Sequence, residues 1–212
     1  MEIEVLVFDI LGTLVDEPAG IRAAVHRAAP DADADELVGR WLSYVETEQR
    51  RIVEGARPYV PSDVLDREAA QLVTKTDVIP KLPPWPDTVE GLTRLAEHYP
   101  IIGLSNASRT ALLRMNAHAG LRWHQALSAE EARTYKPDPA VYELAVELTK
   151  TKPERLLMVA THSWDLRGAQ GVGLRTAYVA RPVGDPPSTA DHFDFHADGL
   201  ADLAVQLGKS RM

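Results

Sequence analysis

The chain has 212 residues, 45% of them hydrophobic and 25% charged, enough for one domain with a sizeable core or a core plus a small insertion. It contains no cysteine, which excludes disulfides and thiol catalysis and is compatible with a reducing cytosol. Its formal net charge of -8 argues against a general nucleic-acid binder, because phosphate contacts need clustered Lys and Arg.

The N-terminus, MEIEV, is acidic and leads straight into a strand, so no signal peptide is expected. No run approaches the roughly 18 apolar residues of a membrane span, so a cytoplasmic protein without a membrane partner is expected. VLVFDI (5–10) is a short, continuous apolar run, the pattern of a strand buried on both faces. Residues 19–29 and 34–54 read as helices, the second carrying Leu37, Trp41, Leu42, Tyr44, Val45 and Ile52 at helical spacing. After the break at RPYVPSD (57–63), Ser62 or Asp63 is placed to cap a third helix over 64–75. KLPPWPD (81–87) is proline-dense and reads as an extended linker.

Beyond it strands and helices alternate. A helix over 88–98 precedes the strand YPIIGLSN, and a helix over 109–118 precedes a short strand at QALSA. A helix over 137–150 precedes LLMVATH (156–162), and a helix over 164–172 precedes TAYVAR; ADLAVQL is the closing helix. This alternation predicts an α/β, doubly wound parallel-sheet (Rossmann-like) core. The all-helical segment 16–80 interrupts it after the first strand. Residues 1–15 and 81–212 are therefore read as the core, and 16–80 as an inserted helical cap.

In open α/β sheets ligands bind beyond the carboxyl ends of the strands. Three apolar strands here end in polar groups: Asp9; Ser105 and Asn106; Thr161 and His162, with Asp165 just beyond. Lys136 lies in a loop before a helix. A carboxylate, a lysine, a hydroxyl and a second carboxylate in one covered cleft suggest nucleophilic catalysis by Asp9. In order and spacing, FDILGT (Asp9 to Thr13), LSNAS (Ser105), YKPDP (Lys136) and THSWD (Asp165) resemble the four motifs of the haloacid dehalogenase superfamily, over nearly the whole chain.

Most members of that superfamily are phosphatases with a second Asp where this chain has Leu11. An alkoxide leaving group needs a proton from such a general acid, and Leu11 has none to give. Phosphatases also recruit Mg2+ with an acidic residue where this chain has Thr161, and Mg2+ prefers carboxylate oxygens. A halide departs without a proton and from carbon that is not anionic. The missing acids therefore fit carbon–halogen cleavage better than phosphoryl transfer, with no metal and no cofactor; Mg2+ belongs only to the phosphatase alternative.

Within the superfamily the chain looks most like the 2-haloacid dehalogenases, in the WPDTVEGL and SWDLRGA stretches, in Tyr142 six residues after Lys136, and in Arg40 on the cap. That resemblance implies attack by Asp9 on the halogen-bearing carbon of a short L-2-haloacid, giving an aspartyl ester with inversion. Arg40 would draw off the halide. Thr13, Ser105 and Lys136 would hold the nucleophile and the substrate carboxylate, and water guided by Asp165 would hydrolyse the ester. The family usually has Asn where this chain has His162 and Ser where it has Ala160; His162 can accept a proton near neutral pH. Leu11, Asn106, Trp41, Tyr142 and Trp164 complete the substrate-binding candidates. A small molecule is the expected partner. Oligomeric state stays open, a homodimer being implied only by the family's habit.

Each residue also has a plainer reading. Asp9 caps a turn; Arg40 is a solvated helix residue; Trp41 and Tyr44 are cap core. Tyr142 packs through its ring, His162 is a satisfied buried histidine, and Trp164 seals a helix start. HFDFHAD (192–198) spaces His192, Asp194, His196 and Asp198 like metal ligands, but is read as a polar face leading into the last helix. GAQGVG (168–173) lacks the dinucleotide order and is read as helix-to-strand packing. Two alternatives remain beside the dehalogenase: a phosphatase of the same superfamily, and a catalytically reduced binding or regulatory member.

Overall fold

The computed structural model describes residues 2–209. Six parallel strands form one sheet: β1 (Val5–Phe8), β2 (Ile101–Ser105), β3 (Gln125–Ser128), β4 (Leu156–Ala160), β5 (Arg175–Val179) and β6 (Phe195–Ala197). Their order is β3-β2-β1-β4-β5-β6. β1 is central, with Leu6 opposite Ile101 on one side and Leu157 on the other. Leu6, Phe8 and Ile10 face one core cluster with Leu92 and Leu200, while Val5 and Val7 face the other with Tyr142 and Leu166. Burial on both faces is why β1 is an unbroken apolar run rather than an alternating one. The chain winds outward from β1 to β3, then returns beside β1 to start β4. The carboxyl end of β1 is therefore the switch point where such sheets open a crevice.

Helices α1 (Glu17–Ala28), α2 (Ala34–Val53) and α3 (Ser62–Thr74) lie between β1 and β2 in the chain. They bury a third cluster of their own, including Ile21, Val25, Leu37, Trp41, Ala69 and Val73. The flanking helices are α4 (Thr88–Ala96), α5 (Arg109–Ala119), α6 (Pro139–Thr149), α7 (Ser163–Gly171) and α8 (Leu200–Lys209). No helix among the described residues is long and apolar enough to cross a membrane.

Several expectations shift. β1 stops at Phe8, so Asp9 and Ile10 lie beyond the strand. Ser62 opens α3 but does not cap it; its hydroxyl accepts a hydrogen bond from the Ser108 backbone instead (2.7 Å). Part of the HFDFHAD stretch is β6, the sixth strand, which three residues of mixed polarity concealed. Within it Asp194 pairs with Arg175, and the His192 and His196 carbonyls accept from Gln170 and Gln206, so its polar groups serve the sheet edge.

The 81–84 segment is extended, as its prolines require, and Pro84 bridges to Val15. α1 approaches it closely at Gly20, where a Cβ would fall 2.8 Å from the Lys81 carbonyl and 2.5 Å from the Leu82 side chain. Backbone on one side cannot rotate away. Gly20→Ala should therefore destabilise the protein by about 1–3 kcal/mol, read as a lower urea midpoint at unchanged slope.

Candidate active site

Lys136 precedes α6 in the chain, Asp9 follows β1, and Asp165 sits in the first turn of α7 after β4. Parallel strands put the ends of β1 and β4 side by side, and the lysine reaches between them. Its Nζ donates to Asp9 Oδ1 (3.0 Å) and to Asp165 Oδ2 (2.8 Å). The side chains are 1%, 8% and 0% exposed, so two carboxylates share one cation away from water. Burial alone would lower the Lys136 ammonium, but Asp165 and then Asp9 outweigh it and leave it raised, so Lys136 stays charged. Burial lifts Asp165 above the usual carboxylate range, Lys136 pulls it back, and Asp9 adds to the rise.

Both carboxylates are held by second partners. Thr13 Oγ1 donates to Asp9 Oδ2 (2.6 Å) and accepts from the Thr161 backbone N–H (3.0 Å), tying the β1 loop to the end of β4. Tyr142 on α6 donates to Asp165 Oδ1 (2.7 Å). Gly12 lies between Leu11 and Thr13 at φ +78°, which suits glycine. A Cβ there would meet His162 Nε2 at 2.8 Å, so the imidazole lies against the nucleophile loop. The loop is braced from behind: Trp85 Nε1 donates to the Gly12 carbonyl (2.8 Å) and Arg181 Nε to the Thr13 carbonyl (2.9 Å).

The structure thus brings Asp9, Thr13, Lys136, Tyr142 and Asp165 into one bonded cluster, with His162 beside it. Ser105 is buried and accepts from the Ala107 N–H (3.1 Å). Asn106 links outward: its Oδ1 accepts from the Lys136 N–H (2.8 Å) and its Nδ2 donates to Gln49 of α2 (3.0 Å). Leu11 is partly buried against the core, and Trp164 lies at the rim, 37% exposed with its ring 5.7 Å from that of His162.

Two candidates are not brought in. Trp41 is 1% exposed within the α1–α3 cluster, its Nε1 donating to Asp66 Oδ1 (3.2 Å). Arg40 has a half-exposed side chain with Glu36 as its ion-pair partner at 3.9 Å, and no ion pair joins it to Asp9. The reason is the stripe that α2 buries, through Leu37, Trp41, Glu48 and Ile52. At about 100° per residue Arg40 lies about a quarter-turn to the side of that stripe, on the exposed flank of α2.

Two groups escaped the sequence reading. Gln49 shows no signal in the sequence beyond its place on a helix. Glu17 reads as an ordinary first-turn acid, yet it is partly buried and pushed up to about 8, by burial, then by the charges of Asp66 and Asp9. Asp66 is pushed up to about 6, mainly by burial.

A model of haloacid dehalogenase-like hydrolases matches residues 3–173. The (S)-2-haloacid dehalogenase H-109 of Pseudomonas putida is 31% identical over 195 residues, 84% of this chain and 86% of that one. Among solved structures, an L-2-haloacid dehalogenase superposes with TM-score 0.88 at 30% identity, covering 98% and 99% of the two chains. A defluorinating L-2-haloacid dehalogenase gives 0.87 at 32%, covering 97% and 95%.

Removing the shared cation should expose the repulsion it cancels. Lys136→Met should cost about 3–5 kcal/mol at pH 7. With the folded-state Asp165 carboxyl raised, the native state binds a proton there more readily than the unfolded one, so the deficit should shrink as pH falls. Chemical unfolding at pH 7 and pH 5 checks both statements.

Proposed function

The chain belongs to the haloacid dehalogenase-like hydrolases, and on that footing we propose that it is a metal-independent dehalogenase of short L-2-haloacids, working through an ester on Asp9. The observation that carries this reading is the single lysine between Asp9 and Asp165. It holds Asp9 as an oriented anion, with Thr13 on its other oxygen, in a place too dry for water to solvate the carboxylate.

Asp9 Oδ2 attacks the carbon bearing the halogen from the side opposite the halide. The carbon–oxygen bond forms as the carbon–halogen bond breaks, the halide takes the bonding electrons, and the centre inverts. Water then adds to the ester carbonyl of Asp9. Negative charge collects on Oδ1, which the Lys136 ammonium already faces at 3.0 Å. Asp165, steered by Tyr142, or His162 beside the loop takes the proton from water. Collapse breaks the bond between the Asp9 carboxyl carbon and Oδ2. The leaving oxygen takes back the proton held by that base, and the 2-hydroxy acid departs carrying Oδ2. Asp9 is restored with the oxygen of water, and the second water proton passes to solvent to balance the halide.

The donor set does not suit Mg2+. Leu11 and Thr161 stand where two acids would be needed, and an ammonium lies between the two carboxylates that remain. No step is therefore routed through a metal. Residues 16–80 are assigned as a cap over a core of 1–15 and 81–212, with Asn106 and Gln49 as one tie across the seam. Arg40 is given no role in halide release.

Purified protein should release chloride from L-2-chloropropionate with a chelator present, and Asp9→Asn should abolish release. Thr13→Val, which removes one hydrogen bond to a charged oxygen, should lower kcat roughly ten- to hundredfold. Chloride release that required added Mg2+, or that survived in Asp9→Asn, would reject the mechanism.

A further inference from the structure

Three consecutive carbonyls of the nucleophile loop, at Gly12, Thr13 and Leu14, are each held by a group from a distant part of the chain. Trp85 Nε1 donates to the first (2.8 Å) and Arg181 Nε to the second (2.9 Å). Thr88 Oγ1 and the Trp85 N–H donate to the third (2.8 and 3.1 Å). Of these donors Arg181 alone carries a charge, and its side chain is only 6% exposed. Its Nη1 donates to Asp87 Oδ1 (2.7 Å), and its Cζ lies 5.9 Å from the centre of the Trp85 ring. Asp87 Oδ2 in turn accepts from the Leu200 N–H at the start of α8 (2.9 Å). Arg181 follows β5, where the Ala180 N–H is bound to the Ala197 carbonyl of β6 (2.9 Å).

The third nitrogen of this guanidinium, Nη2, is buried and has no hydrogen-bond partner among the described residues. A buried N–H group left in that state destabilises a fold. An apolar side chain would fill the same space without that penalty, so packing does not account for the arginine. What an arginine adds is a planar fork that fixes two acceptors at one angle, here the Thr13 carbonyl and Asp87. Thr13 is also the residue whose hydroxyl donates to Asp9 Oδ2 at 2.6 Å. Its one proton is aimed there because the Thr161 N–H already occupies the hydroxyl oxygen (3.0 Å). The place of that hydroxyl depends on the Thr13 peptide, and the Thr13 peptide is held by Arg181.

We propose that Arg181 is a positioning residue for the nucleophile: through the Thr13 carbonyl it fixes the hydroxyl that orients Asp9 Oδ2, and so sets the rate of ester formation. It acts through Thr13 and is not itself a substrate contact. The identity of the step rests on the dehalogenase reading, whereas the coupling from Arg181 to Asp9 rests on the geometry alone. The attacking oxygen must line up with the departing halide, so a small rotation of Oδ2 lowers the rate without lowering affinity. Asp87 and the start of α8 hold the guanidinium in turn, which extends the support of the nucleophile to the last helix.

The test is a double-mutant cycle with Thr13. Arg181→Met should lower kcat for chloride release from L-2-chloropropionate about tenfold and leave KM within about twofold. In a Thr13→Val background, where no hydroxyl is left to orient, the same substitution should cost about twofold or less. Equal losses in both backgrounds, an unchanged kcat, or a loss confined to KM would overturn the proposal. Where circular dichroism shows Arg181→Met unfolded, Arg181→Lys, which keeps the charge but not the fork, carries the same cycle with the same expected pattern. A second readout needs no substrate. The carbon-13 signal of the Asp9 carboxyl, identified by its loss in Asp9→Asn, should move in the same direction in Thr13→Val and in Arg181→Met. Adding Arg181→Met to Thr13→Val should move it no further. A signal that Arg181→Met leaves in place would sink the role of Arg181. Absent chloride release from the wild type, with the signal moving as expected, would sink the dehalogenase reading and leave the role of Arg181 standing.

Discussion

Lys136 brings one positive charge between two buried carboxylates, and that shared cation constrains everything around it. Burial by itself pushes the Asp165 carboxyl toward its protonated form, and the ammonium opposes that. With the ammonium 3.0 Å from one and 2.8 Å from the other, Asp9 is held as a nucleophile. The remaining lone pairs are filled by Thr13 and Tyr142, which fix the direction in which each carboxylate points. Three charges in so small a volume tolerate little displacement, because an interaction weakly screened in the interior is steep in distance.

The fold supplies that precision through its sheet. β1 and β4 pair over Val5 to Phe8, so Asp9 and the Thr161–Asp165 stretch leave the sheet as neighbours. The hydroxyl of Thr13 then closes the gap by accepting from the Thr161 N–H. Trp85 and Arg181 hold the loop carbonyls on the other side. Helix α1 begins one residue after this loop, with no extra segment between them. The same economy appears at Asn106, which bonds to Lys136 through one side-chain atom and to Gln49 through another.

Much of this was legible in the sequence because it is local. Apolar runs ending in Asp9, in Ser105 and in Thr161 mark buried strands and their carboxyl ends, and the parallel alternation follows from helices between them. What short-range pattern could not settle has physical sources as well. Arg40 and Trp41 are adjacent in sequence, and only the packing of α2 on α1 and α3 decides which one turns inward. β6 is three residues long and its polar side chains serve the sheet edge, so it lacks the apolar signature of the inner strands. Ser62 resembles a helix cap, yet its hydroxyl serves a distant backbone amide.

The sequence by itself determined the order of the first five strands and the helices between them, the nucleophile-bearing loop, and the absence of acids at Leu11 and Thr161. Those are matters of composition and short-range pattern. Only the tertiary structure decided that Lys136, 127 residues from Asp9 in the chain, bonds to it and to Asp165 at once. It alone turned Arg40 to solvent and set Glu17 inward with its charge opposed. Each of those outcomes depends on burial and on charge at close range, and neither exists until separate elements have packed together.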